Sequence, residues 1–254
     1  MIRIDRSKVP EPQALRSERV RRSLREAAEF FAVPAEQRRQ RRFRADNAPL
    51  SLAAVRHAVA RVFHGKCAYC ERPVSPRAHG AIDHFRPRQN AVGADGVVSP
   101  DHYWALVYAW SNLYLSCLQC NQIKASRFPV DGPRARADAG PEEVASERRV
   151  LVDPCAEDPA DHLAFDDRGT VASSTERGYV TVEVLALNRT ELVEARRARL
   201  AEVEEALAAT PEPKRASVVR AFVRDDAPFA GMMRQVAGRP GRRRGSTGHS
   251  ERRA

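Results

Sequence analysis

Two Cys-x-x-Cys pairs constrain this chain more than any other feature of its sequence. The first pair is Cys67 and Cys70, and the second is Cys117 and Cys120. A tight turn lets the two thiolates of each pair point at one ion, and zinc prefers four such ligands in a tetrahedron. The pairs therefore predict one structural zinc site with four cysteine ligands, which would leave no open coordination position for chemistry. The alternative is two unrelated pairs of surface or core cysteines.

The remaining composition indicates the cellular setting. The chain has five cysteines, and the fifth, Cys155, is predicted to be a buried structural thiol. We expect a cytoplasmic protein, because the N-terminus lacks an apolar signal region and no run of about 18 apolar residues could cross a membrane. With 43% hydrophobic residues, a chain of 254 residues can bury a sizeable core.

The net charge of +10 is concentrated near the two ends of the sequence. Residues 16–44 contain ten arginines against four glutamates, and residues 238–254 contain six arginines against one glutamate. Such segments are expected to contact phosphates or an acidic partner. The alternative is a solubilising charged helix followed by a disordered tail.

The hydrophobic pattern predicts several helices around a small centre that contains strands. The segments predicted to be helical are residues 12–44 with a boundary at Pro34, 52–63, 103–110, 119–126, 190–209 and 216–224. The segments predicted to be strands are the residues that end at Asp83-His84, together with 113–115, 150–154 and 162–165.

Between the two cysteine pairs lie residues suited to the hydrolysis of a phosphodiester. This reaction needs an activated water, charge neutralisation on the phosphate and stabilisation of the leaving oxygen. A neutral histidine such as His84 can accept the proton of the water, and Mg²⁺ prefers hard oxygen ligands such as the carboxylate of Asp83. Because neighbouring side chains of a strand point to opposite faces, one of the two can face the metal while the other faces the attacking water.

The pattern C-x-x-C, D-H-F-R-P, S-N-L and C-x-x-C-N with a following lysine resembles the HNH endonucleases, which have the ββα-metal fold. The stretches DHFRPR, YWALVYAWSNLYLSC, CNQIKASRFPV, LVDPCAEDPADHLAF and VLALNR resemble more closely the HNH family found beside retrons. That family also supplies the nuclease partner of an ABC-type ATPase in Septu anti-phage systems. The resemblance extends over about residues 51–200. It implies an α+β fold, in which a ββα-metal core with the structural zinc site is embedded in a mainly helical domain.

The resemblance also implies roles for single residues. The general base falls on His84, the metal-binding carboxylate on Asp83 and the last metal ligand on Asn121, with Mg²⁺ or Mn²⁺ as the catalytic ion. Asn112 falls on the asparagine that orients the histidine. Many HNH proteins have a histidine where this chain has Asn121, although an amide oxygen can still bind Mg²⁺. The predicted phosphate contacts are Arg86, Arg88 and Lys124.

Each of these roles has a structural alternative. His84 would be a core histidine, Asn112 the cap of the turn before Leu113, and Asn121 the cap of the helix after the second cysteine pair. The three basic residues would be surface charges. The aromatic residues expected to be core are Trp104, Tyr108 and Trp110.

The leading hypothesis is a metal-dependent HNH endonuclease that cleaves DNA as the nuclease effector of an anti-phage system, together with an ATPase partner. Two alternatives stay open: a zinc-stabilised module that binds nucleic acid or an ATPase without cleavage, and a nuclease directed at RNA or tRNA. The corresponding division is a basic helical region at 1–50, the nuclease core at 51–130, an accessory α/β region at 131–215, and a short helix with a disordered basic tail at 216–254.

Overall fold

A computed structural model describes residues 1–38, 41–74 and 80–237 of the chain. Within these residues, short helices surround three two-stranded antiparallel sheets. The α-helices are α1 (Glu18–Ala32), α2 (Ala35–Arg38), α3 (Ala48–Ser51), α4 (Ala53–Val62), α5 (Leu118–Lys124), α6 (Glu176–Val184), α7 (Thr190–Ala208), α8 (Glu212–Phe222) and α9 (Ala230–Ala237). The strands are β1 (Gly80–His84), β2 (Ala91–Val92), β3 (Val98–Ser99), β4 (Leu113–Cys117), β5 (Ala164–Phe165) and β6 (Val171–Ala172). The predicted disordered tail at 238–254 lies outside the described residues.

The antiparallel pair of β1 and β4, followed directly by α5, forms the centre of the fold. Asp83 lies opposite Tyr114, and His84 lies opposite Leu113. β4 ends at Cys117 and α5 begins at the next residue, so the strand and the helix join without a loop. α5 contacts both strands. This strand–strand–helix unit contains the second cysteine pair and both ends of the predicted site.

α4 leads the chain into the first cysteine pair. Its inner face is fully buried at Val55 and Val59, and the chain turns at Gly65, whose φ of 69° is a conformation that glycine adopts without a steric penalty. The backbone N–H of Ala68 then donates to the carbonyl of Leu115 in β4 at 2.8 Å. This bond attaches the turn of the first pair to the strand that leads into the second pair.

A cluster of buried aromatic rings packs behind the central unit. The Tyr114 ring lies 5.0 Å from Phe85 and 5.1 Å from Phe63, measured between ring centroids. Tyr69, from the first cysteine turn, stacks on Tyr114 at 6.3 Å. The hydrophobic core continues from these rings into the N-terminal helices, along α7 from Leu192 to Val203, and into α9 at Met232 and Met233. Aromatic contacts of this kind add to the free energy of burial and so stabilise the fold behind the site.

Most of the predicted elements that surround the site are confirmed. The predicted strands at Asp83-His84 and 113–115 are β1 and β4, the helix predicted at 52–63 is α4, and the helix predicted at 190–209 is α7. The long N-terminal helix is divided into the 3₁₀ turn Gln13–Arg16, α1 and α2, with the interruption before α2 at the predicted proline.

The prediction of one helix over 103–110 is wrong. The chain instead makes two 3₁₀ turns, Trp104–Leu106 and Trp110–Asn112. The carbonyl of Leu106 accepts hydrogen bonds from the Ala109 N–H and the Asn112 side chain, so it does not continue an α-helical ladder.

The strand predicted at 150–154 is also absent from the described residues. The N–H of Val152 donates to the Thr181 hydroxyl at 2.9 Å instead of to a neighbouring strand. The hydrophobic pattern did not predict α9. No helix in the described part of the chain is both long and apolar enough to span a membrane.

Candidate metal centre and active-site cleft

The four cysteines of the two pairs converge on one point. All four sulfur atoms lie within 4.8 Å of one another, and the Sγ atoms of Cys70 and Cys117 are 3.8 Å apart. A tetrahedral zinc ion with Zn–S bonds of about 2.3 Å would hold its sulfurs about 3.8 Å apart. The cluster therefore has the ligand type, number and spacing that a structural zinc ion requires, as the sequence predicts.

The thiols of the cluster perturb one another's ionisation. Cys67 is 1% exposed, and burial raises the pKa of its thiol well above the ordinary value, with the other three sulfurs adding to the shift. Thiols this crowded lose their protons together only when a metal ion compensates the charge. Arg189, which precedes α7, donates to the Sγ of Cys120 at 3.4 Å and ties the distant VLALNR stretch to the cluster.

Three of the four predicted catalytic residues border one cleft of the same unit, and the fourth, Asn112, does not line it. A cleft of about 510 Å³ is bordered by Asp83, His84, Arg88 and Asn121. β1 ends at His84, so both members of the Asp-His pair reach the same cleft although they alternate along the strand. The cysteine cluster positions the cleft directly, because Asn121 is the residue after Cys120.

His84 is held in one orientation by a backbone carbonyl. Its side chain is buried, with 8% of the residue exposed, and its Nε2 lies 2.8 Å from the carbonyl oxygen of Val107. A carbonyl only accepts, so Nε2 carries the proton and Nδ1 keeps its lone pair. Burial, with Arg88 and Lys124 adding to the effect, lowers the His84 pKa to about 3. The imidazole is therefore neutral at pH 7 and can accept a proton at Nδ1.

Asn112 fixes the backbone around His84 without contacting its ring. Its Oδ1 accepts from the N–H of Arg86 at 2.7 Å. Its Nδ2 donates to the carbonyl of Arg86 at 2.9 Å and to the carbonyl of Leu106 at 3.1 Å. These bonds join the segment after His84 to the segment before Val107, whose carbonyl holds the imidazole. Asn112 is thus a positioning residue that acts through two backbone segments.

Asp83 is 5% exposed and already has two partners. The Tyr69 hydroxyl donates to its Oδ2, and the Lys124 ammonium lies 3.3 Å from the same oxygen. Both contacts involve Oδ2, which leaves Oδ1 as the oxygen that a divalent cation could use. Asn121 borders the same cleft, and carboxylate and amide oxygens are ligands of the kind that Mg²⁺ and Mn²⁺ prefer.

The position of Asn121 in α5 excludes the alternative that Asn121 caps this helix. α5 begins at Leu118, and Cys117 is its N-cap, with its Sγ accepting from the N–H of Cys120. Asn121 is therefore in the interior of the helix and does not cap it. Its side chain is free of that structural duty and borders the cleft.

The three predicted phosphate contacts differ in their burial. The Arg86 guanidinium is buried, with Nε 2.9 Å from Glu147 Oε2 and Nη2 bonded to the Val144 carbonyl. Lys124 is 0% exposed and donates to the His84 carbonyl at 2.8 Å. Because both side chains are buried, neither can contact a phosphate in the cleft, and neither is a surface charge. The predicted phosphate contact and its alternative, a surface charge, are therefore both wrong for Arg86 and Lys124. Arg88 remains exposed at the edge of the cleft.

Several residues of the site were missed by the sequence analysis. Tyr69 lies between the first two cysteines, and its hydroxyl reaches Asp83. Asn47 accepts from Arg88 at 2.8 Å, and Arg56 borders the cleft. The only sequence signal for Tyr69 was its place within CAYC; no motif connects the other two to the Asp-His pair.

Comparisons with known proteins point to one group of relatives. No protein-family model matches the chain. The chain is 37% identical to Septu protein PtuB of Bacillus mycoides (strain KBAB4) over 148 residues, which are 56% of this chain and 50% of that protein. It is 40% identical over 137 residues to Septu protein PtuA of the same strain, covering 54% of this chain and 19% of that protein. A PtuB of Bacillus thuringiensis is 24% identical over 136 residues, covering 53% of this chain and 41% of that protein. The chain thus spans half or less of the length of each of these relatives.

Proposed function

We propose that the chain is a metal-dependent endonuclease of the HNH type that hydrolyses DNA phosphodiesters. The observation that carries the proposal is the meeting of Asp83, His84, Asn121 and Arg88 in one cleft, next to a four-cysteine cluster that braces the helix of Asn121. A neutral imidazole with a fixed Nε2–H, a carboxylate oxygen, an amide oxygen and an exposed guanidinium supply the groups that this reaction needs.

The residues of the cleft divide the reaction between them. His84 Nδ1 accepts a proton from a water molecule, whose oxygen attacks phosphorus. The bond from phosphorus to the 3′ oxygen breaks, and that oxygen takes a proton from solvent, so the products are a 5′ phosphate and a 3′ hydroxyl. Arg88 binds a non-bridging phosphate oxygen. Asp83 and Asn121 would hold Mg²⁺ or Mn²⁺, which when bound supplies charge stabilisation to the phosphate and the leaving oxygen.

The binding of substrate also improves His84 as a base. The positive charge of Arg88 lowers the pKa of His84. When Arg88 pairs with a phosphate, that charge is compensated and the imidazolium formed during attack is less disfavoured. The base is therefore weakest in the empty cleft and stronger in the complex.

The names of the relatives support a role in anti-phage defence with a partner protein. The two relatives from Bacillus mycoides carry the names of two Septu components, PtuB and PtuA. We propose that this chain likewise works with a second component, an ATPase of the ABC type, that controls its cutting. Phage challenge of cells that express both genes, with wild type or His84→Ala, tests this role. Equal protection by the two would exclude cleavage as its basis.

The biochemical test is plasmid cleavage with Mg²⁺ by the wild-type protein and by His84→Ala. We expect the substitution to reduce cleavage by about 100- to 10,000-fold, the usual contribution of a general base, with an unchanged zinc content. His57→Ala is the matched control, since His57 lies on α4 outside the cleft. Equal cutting by wild type and His84→Ala would refute the mechanism, and comparison of DNA with RNA substrates tests the substrate class.

One observation favours a second candidate, a module that binds nucleic acid or its partner without cutting. The Lys124 ammonium already neutralises Asp83, as it would in a site that no longer binds a cation. This candidate predicts that wild type binds DNA but never cleaves it with Mg²⁺ or Mn²⁺, with or without the partner. Cleavage that is lost in Asp83→Ala while DNA binding persists would eliminate it.

A further inference from the structure

A second cavity adjoins the cleft next to Val107. It has a volume of about 260 Å³ and shares Asn47, Arg88 and Gln89 with the cleft. The residues that complete its lining are Phe43, Arg44, Ala45, Trp104 and Val107. Val107 is the residue whose carbonyl holds His84. Any ligand in this cavity would therefore lie beside the residues that position the base.

Aromatic side chains form one wall of this cavity. Trp104 is half-buried, and Phe31 of α1 is stacked on it with an interplanar angle of 7° and a centroid distance of 5.6 Å. Phe43 lies 5.8 Å from Phe31. The indole is therefore held in place while part of it remains accessible from the cavity. A fixed, partly exposed aromatic ring is the usual platform on which proteins stack an unpaired nucleobase.

The charges at this cavity complement a phosphate. Among the described residues that line it, the charged ones are Arg44 and Arg88, both exposed arginines. The nearby acidic groups are already paired: Asp46 with Arg19 and Asp101 with Arg38. An arginine can bind a phosphate with two parallel hydrogen bonds. Arg88 also borders the cleft. One nucleic-acid strand could therefore place a phosphate in the cleft and the adjoining base in the cavity.

The size of the cavity limits what it can accept. Pockets for drug-sized ligands measure roughly 300–1,000 Å³, and this cavity is smaller. It can receive one flat ring system but not several stacked nucleotides.

We propose that this cavity binds one unstacked nucleobase of the substrate strand, next to the phosphate that is cleaved. The inference rests on the proposed nuclease function and specifies its substrate class: nucleic acid with an unpaired nucleotide at the scissile position, either single-stranded or extruded from a duplex. Extrusion of a base is costly in paired DNA and costs least where the base is already unpaired, so the site prefers gaps, bulges and single strands.

The two tryptophans of the chain provide a direct test. The variant Trp110→Phe with His84→Ala retains Trp104 as the reporter and does not cut the probe. We expect a short single-stranded oligonucleotide to quench its emission, and an oligonucleotide of equal length with abasic sites to leave it unchanged. The matched control is Trp104→Phe with His84→Ala, which retains Trp110, a residue packed against Arg6 outside the cavity. Its emission should respond to neither probe.

Affinity measured by fluorescence anisotropy provides the second test. Trp104→Leu should weaken binding of the single strand by roughly fivefold to a hundredfold, the range for loss of one base-stacking contact, and leave abasic-strand binding unchanged. Trp104→Phe should restore most of the loss. Trp110→Leu is the control and should have no selective effect. If Trp104→Leu unfolds, the fluorescence experiment still decides, because its reporter variant keeps Trp104 and every other residue that lines the cavity.

The outcomes separate this inference from the nuclease proposal. Bound strands that leave Trp104 emission unchanged, or equal quenching by abasic and base-containing strands, would overturn the nucleobase site even if wild type cleaves DNA. Base-dependent quenching in a protein whose wild type cuts no substrate would support the nucleobase site and refute the nuclease proposal.

Discussion

The four-cysteine cluster and the Asp-His cleft share one strand–strand–helix unit, but the cluster is closed around one point and the cleft is open. In the cluster, four equivalent sulfurs within 4.8 Å can enclose an ion completely. In the cleft, Asp83 has one oxygen engaged by Tyr69 and Lys124, and the remaining groups face a volume of about 510 Å³. The first arrangement suits an ion that never leaves, the second an ion that must share its coordination sphere with substrate.

In the proposed mechanism the cysteine cluster supplies stability and the adjoining cleft residues supply chemistry. Cys117 ends β4, Cys120 lies in the first turn of α5, and Asn121 follows at once. The cluster is therefore joined to Asn121 by a single peptide bond, although its sulfurs take no part in the proposed reaction. Substitutions on the two sides should consequently have different signatures, in folding for the cluster and in activity for the cleft.

The largest effect should come from the cluster. Structural zinc sites contribute about 10–16 kcal/mol of apparent binding free energy in small peptides, so Cys67→Ser should abolish zinc retention and cooperative unfolding. Zinc content by mass spectrometry and thermal unfolding by circular dichroism measure this. Cys155→Ser is the matched control, because Cys155 is also a free cysteine but lies outside the cluster. A folded Cys67→Ser protein without zinc would show that the cluster does not brace the fold.

Lys124→Met should have the next largest effect, and its effect on stability should depend on the cation in the cleft. Removing one partner of a buried ion pair costs about 3–5 kcal/mol, and here it leaves the Asp83 carboxylate uncompensated. Mg²⁺ should restore part of the lost stability, so its effect on the melting temperature should be larger in the variant than in wild type. Lys214→Met, an exposed change on α8, is the control. An equal response of variant and wild type to Mg²⁺ would argue against a cation at Asp83.

Asn112→Ala should affect both folding and activity. It leaves the buried N–H and carbonyl of Arg86 without partners and removes one of the two hydrogen bonds to the Leu106 carbonyl, at a cost of about 3 kcal/mol. Displacement of the His84 anchor should then lower cleavage by up to about 100-fold at temperatures where the variant remains folded.

Asn188→Ala provides the comparison for this prediction. Asn188 bridges the N–H and the carbonyl of Val171 in the same way, but at β6. It should lose stability without a selective loss of cleavage. The activities of the two variants are compared at equal fractions folded. Similar losses of activity would contradict a positioning role for Asn112.

Arg88→Gln should have the smallest effect on folding and a specific effect on binding. Because Arg88 is exposed, its loss should leave the melting temperature nearly unchanged. The slope of log affinity against log salt concentration should become shallower by about 1, as expected for one lost phosphate contact. Arg215→Gln on α8, also exposed, should leave this slope unchanged. An unaltered slope in Arg88→Gln would show that Arg88 does not contact a phosphate.

Local patterns predicted the parts of the site that depend on local geometry. The spacing of the cysteines indicated a four-sulfur cluster because each pair is one turn, and β1 and β4 were evident from short apolar segments. The ion pair of Arg86 with Glu147 was not predictable, since its members are 61 positions apart and neither belongs to a repeating pattern. Lys124 was mistaken for a substrate contact for the same reason: its burial depends on packing of α5 against β1, which the sequence does not encode locally.

The buried carboxylate of Glu147 also limits how this site can be moved between proteins. It binds the Arg86 side chain, the Tyr103 hydroxyl and the Ala135 N–H, so it joins the segment after His84 to a loop far along the chain. A transplanted segment of residues 51–130 alone would lack this partner and would bury a bare guanidinium. The stretches shared with the relatives, 148 and 137 residues long, are longer than that segment. The unit to transplant is therefore the cleft together with the loop that supplies Glu147.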